Sequence, residues 1–215
     1  MKMEKVLEDL IRRYPALAPV RPVLGAAIGR ITGALENGGT LFVCGNGGSG
    51  SDAEHIAGEF LKGFLSRREM PAADRERLAA AFGPDGVRLG ERLQRGLRCQ
   101  SLLSHPGFLT AFCNDVDPAL IYAQQLYALG RRGDLLLGIS TSGNAENVRQ
   151  AFLTARFLGI GTILLTGARP GRCVPVADLV LAAPETETYR VQELHLPLYH
   201  ALCMAVERHF FPEEA

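Results

Sequence analysis

The sequence has no excess charge of either sign: 23 Lys and Arg residues balance 23 Asp and Glu residues. That balance lacks the basic excess with which proteins neutralise nucleic-acid phosphates or anionic membranes, so neither partner is expected. Long apolar runs are missing as well. None approaches the ~18 residues that a membrane span needs, and the opening MKMEKVLEDLIRRYP has neither the apolar centre nor the small-residue cleavage site of a secretory leader. A cytoplasmic chain is therefore expected. The five cysteines, Cys44, Cys99, Cys113, Cys173 and Cys203, form no CxxC pair. That argues against a disulfide framework and a cysteine-built zinc site, and leaves reduced, mostly buried thiols. Internal repeats and long low-complexity stretches are absent too.

What the chain does have is 215 residues at 47% hydrophobic composition, enough to bury the core of a single α/β domain spanning 1–215. Residues 3–13 and 19–36 read as amphipathic helices broken by Pro15 and Pro19, forming an N-terminal helical unit over 1–37. Beyond it, the short apolar runs Leu41–Cys44, Phe108–Phe112, Leu135–Ile139, Thr162–Leu165 and Leu179–Ala182 predict strands buried on both faces. Helical periodicity over 51–64, 117–129, 144–158 and 188–210 alternates with them. The alternation predicts right-handed crossovers and a doubly wound, parallel five-stranded sheet flanked by helices, Rossmann-like or flavodoxin-like. Residues 66–98 break the pattern. They carry eight arginines against five acidic residues, with Pro71, Gly83-Pro84 and Gly86 separating two short helical patterns, and read as a charged helical insert on the surface.

Two loops follow predicted strands. Gly45-Asn46-Gly47-Gly48-Ser49-Gly50-Ser51-Asp52 leads into a helix, where glycines let the backbone approach a ligand and the helix start offers unpaired N–H groups to an anion such as phosphate. Ser140-Thr141-Ser142-Gly143-Asn144 ends another strand and adds three hydroxyls. Gly45, Gly47 and Gly50 also spell the dinucleotide fingerprint, but no second strand ending in an acidic residue follows about 20 residues later, as that fingerprint requires. On the first-loop helix, His55 and Glu59 share a face four residues apart. On the final helix, the eight residues from Gln192 to His200 turn the chain about 80° beyond two full turns, so both lean toward one site. Such a set holds zinc or moves protons, although a His and a Glu four apart are more often a plain ion pair. His195 and His209 read as structural, and His105 has no argument for a role.

GNGGSGSDAEHIAGE, GDLLLGISTSGNAENV and VQELHLPLYH together resemble, in order and spacing, the sugar isomerase (SIS) domain of the phosphoheptose isomerase family. The likeness spans about 36–64 and 107–210. It implies a homotetramer with active sites at subunit interfaces, one Zn2+ per subunit, and interconversion of sedoheptulose 7-phosphate and D-glycero-D-manno-heptose 7-phosphate through an enediol. It implies further that Asn46, Gly47, Gly48, Ser49, Ser140, Thr141 and Ser142 line the sugar phosphate and that Asn114 and Asp115 face substrate hydroxyls. His55, Glu59, Gln192 and His200 fall on zinc-ligand positions, with Glu59 and His200 as the acid/base pair and Gln192 also at the substrate. The alternative is a non-catalytic phosphosugar-binding or protein-interaction module, of the kind that associates with the DnaA initiator. Three features depart from the family pattern. Ala145 stands where the family has a phosphate-binding serine, which removes ~1 kcal/mol of binding or more. The 66–98 insert is longer than usual, and Pro197 is expected to kink the helix between Gln192 and His200.

Overall fold

A computed structural model describes residues 2–212 of the chain. Five strands, β1 (Leu41–Gly45), β2 (Cys99–Ser101), β3 (Leu135–Ser140), β4 (Gly161–Thr166) and β5 (Leu179–Ala182), form one parallel sheet in the order β2-β1-β3-β4-β5. Side chains alternate across it, and both faces are covered. Leu41, Val43, Leu137 and Ile163 join a core supplied by α1 (Lys2–Arg13), α2 (Arg21–Glu36), α3 (Gly48–Leu61) and α9 (Thr188–Phe210). Phe42, Cys44, Leu136 and Leu164 join a second core built with α7 (Ile121–Leu129) and α8 (Glu146–Leu158). The result is the doubly wound α/β architecture that the alternation predicts.

One strand differs from expectation. Phe108–Phe112 lies inside α6 (Pro106–Asp115), and the fifth strand is β2. A five-residue apolar run carries too little periodicity to separate strand from helix. Here Pro106 sits in the first helical turn, where its fixed φ is already helical, and Phe108 and Phe112 stack one turn apart with centroids 5.2 Å from each other. β2 is three residues long and contains Gln100 and Ser101, a polar edge strand without a hydrophobic signature. The first-loop helix also begins earlier than expected, at Gly48, because Gly47 takes φ +53° and its carbonyl accepts from Gly50 and Ser51 at 2.9 and 3.0 Å.

The insert is a helical hairpin, α4 (Ala72–Phe82) and α5 (Pro84–Arg92), turning on Gly83 at φ +55°. Its two ends meet at an antiparallel bridge between Glu69 and Gln94, reinforced by Arg95 N–H donating to the Arg68 carbonyl at 2.8 Å. Just inside this neck, Arg68 and Glu207 form an ion pair at 2.8 Å, each side chain 1% exposed. Arg68 also donates to the Phe60 and Glu59 carbonyls at 2.8 and 2.9 Å, capping the end of α3. Glu207 accepts from the backbone of Phe64 and Leu65 at 2.8 and 2.7 Å.

Strand order reverses between β1 and β3, which leaves a crevice at their carboxyl ends. Both glycine- and serine-rich loops leave the sheet there.

Candidate active site

Register pairs Gly45 with Ile139, so the two loops emerge side by side. In the first, a Cβ at Gly45 would collide with the Ser49 carbonyl, which explains the glycine. Asn46, Gly47 and Gly48 are exposed and Ser49 is buried at the start of α3, where first-turn N–H groups point outward. In the second, Gly143 at φ +64° closes a turn, its N–H donating to the Ser140 carbonyl at 2.9 Å. Ser142 is exposed and Thr141 half-buried, whereas the Ser140 hydroxyl is buried and takes the Ala145 N–H at 3.4 Å. Ala145 occupies the N-cap of α8 with no side-chain cap. The first loop is tied to α7 and α8 through Tyr122 and Asn147, which the sequence did not single out. Asn46 and Asn147 exchange amide hydrogen bonds of 2.8 and 2.9 Å, and the Tyr122 hydroxyl donates to the Gly45 carbonyl.

Beside the first loop, α3 and α9 run in the same direction. Gln192 lies over Gly48, where its amide leaves no room for a Cβ, and seven residues further along both helices Tyr199 meets His55. The helix is continuous through Pro197. His55 Nε2 stands 3.3 Å from Glu59 Oε1, and Glu59 Oε2 receives Lys62 Nζ at 3.1 Å. The His200 ring lies edge-on to His55 with centroids 5.1 Å apart, and its Nε2 is buried without a hydrogen-bond partner. Burial, and then the neighbouring His55, lower the His200 pKa below the ordinary imidazole value. It is therefore a neutral base at pH 7.

The structure thus brings His55, Glu59 and His200 together and leaves Gln192 at the first loop. A zinc ion fits these three in kind, since two imidazoles and a carboxylate are its usual donors and the orphaned His200 nitrogen points to a missing partner. In the present rotamers, no group of three or more His, Cys, Asp or Glu side chains among the described residues converges for a metal. Asn114 and Asp115 end α6, exposed and hydrogen-bonded to one another at 2.8 Å. His195 is fully buried, with Nε2 3.2 Å from the Thr166 carbonyl, a core histidine; His209 pairs with Glu36 and His105 with Gln125.

A cavity of about 510 Å³ lies in the insert among Arg67, Glu69, Arg75 and Arg92, and touches neither loop. A smaller one of about 380 Å³ is bordered by His200, Arg13, Phe64 and Pro197. Of the two, the second adjoins the titratable cluster.

No family model matches the chain. It is 35% identical over 214 residues to a phosphoheptose isomerase of Helicobacter pylori (strain P12), covering 95% of this chain and 98% of that one. Among solved structures, it superposes on phosphoheptose isomerase from Neisseria gonorrhoeae with a TM-score of 0.72 at 30% identity, covering 93% and 94% of the two chains. A phosphoheptose isomerase from Francisella tularensis gives a TM-score of 0.75 at 27% identity, covering 96% and 97%. With the three motifs in order, the paired loops at the switch of the sheet and near full-length likeness, the chain belongs to the phosphoheptose isomerase family.

Proposed function

We propose that the protein is an aldose–ketose isomerase that interconverts sedoheptulose 7-phosphate and D-glycero-D-manno-heptose 7-phosphate. The observation that carries this reading is the buried, unpartnered Nε2 of His200 beside the Glu59 carboxylate and His55. A module that only binds phosphosugars has no use for a neutral imidazole and a carboxylate held together next to a phosphate cradle.

In this reading the sugar phosphate is held by Asn46, Gly47, Gly48 and Ser49 with Thr141 and Ser142, the N–H groups of the α3 first turn facing its charge. Ser140 supports the second loop through its bond to Ala145. Gln192, held over Gly48, contacts substrate close to that phosphate. Isomerisation removes a proton from the carbon beside the carbonyl and returns it to the neighbouring carbon through an enediol, while a second group moves protons between the oxygens. Glu59 and His200 divide these tasks. His200, held neutral, can take up a proton, and Glu59 stands against His55 at the same site. His55, Glu59 and His200 would hold a zinc ion, which when bound supplies polarisation of the substrate oxygens. The working form is a cytoplasmic homotetramer with sites between subunits. Assembly is supported by two exposed apolar residues, Leu61 at the end of α3 and Leu65 beyond it.

The test is NMR in D2O of the zinc-supplemented protein with five- to seven-carbon sugar phosphates. Deuterium is expected to enter the carbon beside the carbonyl of the seven-carbon substrate. Binding without exchange across the panel would replace the isomerase reading with that of a phosphosugar-binding module.

A further inference from the structure

The second loop is held by the segment that follows β4, residues 167–173. Gly167 N–H donates to the Thr141 carbonyl at 3.0 Å, and Cys173 N–H to the Gly143 carbonyl at 2.8 Å. A Cβ at Gly171 would collide with that same Gly143 carbonyl, so the two backbones touch there. Arg172 grips the loop twice. Its backbone N–H donates to the Asn144 side-chain oxygen at 3.0 Å, and its guanidinium donates to the Asn144 carbonyl at 3.2 Å and stands 3.1 Å from the Glu146 carboxylate. Local bonds take the other carbonyls: Ser140 accepts from Gly143 N–H, Ser142 from the Asn144 amide and Ala145 from Arg149 N–H. Every carbonyl from Ser140 to Ala145 therefore has a donor inside the protein. The Thr141 hydroxyl and the Ser142 hydroxyl proton are used by none of these bonds. An oxyanion is bound by N–H and O–H donors and repelled by carbonyl oxygens, so a loop in this state offers it the right polarity.

We propose that Arg172 is a positioning residue for the substrate phosphate, fixing Asn144 and Glu146 so that the second loop presents donors and not acceptors to the crevice. Its guanidinium reaches the residues on either side of Ala145, the N-cap position that carries no capping side chain. The planar fork thus braces the turn that a capping hydroxyl would otherwise tie. It also occupies a carboxylate. Glu146 lies in the first turn of α8, where a negative charge opposes a bound phosphate, and it is engaged by Arg172, by Arg149 at 3.3 Å and by Gln150 at 2.7 Å. The proposal rests on the phosphosugar reading of this site, but it concerns binding and is decided without turnover.

The experiment is calorimetric titration with inorganic phosphate and with sedoheptulose 7-phosphate, at low and at high salt, of the wild type, Arg172→Ala, Arg172→Lys and Arg169→Ala. Arg172→Ala should weaken both ligands about 10-fold. The loss should persist at high salt, which screens a surface charge but not a misplaced loop. Arg172→Lys keeps the charge but not the fork, and should bind as weakly as the alanine variant. Arg169, on the same segment and as exposed, pairs with Glu187 at 3.4 Å, so Arg169→Ala should keep wild-type affinity. Melting temperatures of all four proteins should agree within a few degrees. Where turnover is measured, KM should rise in Arg172→Ala while kcat holds. Wild-type affinity in Arg172→Ala would overturn the proposal and leave the isomerase reading standing. Full restoration by lysine, or a loss that vanishes at high salt, would overturn it by reducing Arg172 to a surface charge. A wild type that binds neither ligand would sink it together with the phosphosugar reading. Binding of sedoheptulose 7-phosphate without deuterium exchange would remove the isomerase reading alone, and the affinities would still decide the role of Arg172.

Discussion

His195 shows how a residue of the motif region serves the fold instead of the site. Burial lowers its pKa to about 4, and the Thr166 carbonyl only partly opposes this. The unfolded chain, near 6.5, therefore binds a proton that the folded one refuses. Stability is complete above pH 6.5 and is lost as pH falls toward 4, by roughly 3 kcal/mol for this group. Urea midpoints at pH 7 and 4.5 should show the loss, and His195→Gln should flatten it. Ala145 offers a prediction of the other sign. It is an uncapped N-cap in extended conformation, so Ala145→Ser should stabilise α8 by about 1 kcal/mol, read as a higher Tm. For the proposed chemistry, Glu59→Gln and His200→Gln should each abolish deuterium exchange while circular dichroism stays native. Full exchange in both variants would remove them from the acid/base roles. His55, Glu59 and His200 were legible because helical spacing and the family motifs marked them. Tyr199 and Asn147 were not, because each matters through a partner on another element: His55 for Tyr199, Asn46 for Asn147.

Elements with a strong period were legible and those carried by tertiary contact were not. α8 and α9 stand close to where periodicity put them, and β1, β3, β4 and β5 coincide with the apolar runs. β2 is held by register with β1 alone, Leu41 to Cys99 through Val43 to Ser101, and nothing in Cys-Gln-Ser announces a strand. The junction of α3, α9 and the insert escaped for a similar reason. Burial pushes the Glu207 pKa up, but the Phe64 and Leu65 N–H groups and Arg68 outweigh it and hold the carboxyl below its usual value. Removing one partner of this buried pair strands the other without compensation, so Arg68→Ala and Glu207→Gln should each cost about 3–5 kcal/mol in urea unfolding. The double variant should cost less than the sum of the two. Arg68 is also a non-glycine residue at φ +47°, a backbone cost that its four-way set of contacts sustains.

The whole molecule was legible as a doubly wound sheet with its loops at one edge, because alternation of apolar runs with helical periods fixes layers before it fixes any single element. The reach of the insert was not. Its charge balance identified a surface segment, but its boundary depends on Arg68, an arginine that looks like its neighbours in sequence and is buried in the fold. Cutting out 71–92 and rejoining the ends with a short turn should leave the thermal midpoint within a few degrees, since α4 and α5 pack chiefly on each other. Cutting 67–97 should unfold the protein, because it takes Arg68 with it. Melting curves of the two deletions distinguish these outcomes. The bridge between Glu69 and Gln94 brings the departing and returning strands to neighbouring positions, about 5 Å apart for such a pair. Each doubling of the chain beyond that point raises the closure cost by only about 0.6 kcal/mol. The neck is thus a splice port, at which a fluorescent domain or a sensor of another ligand can be installed while the sheet and its two loops keep their register.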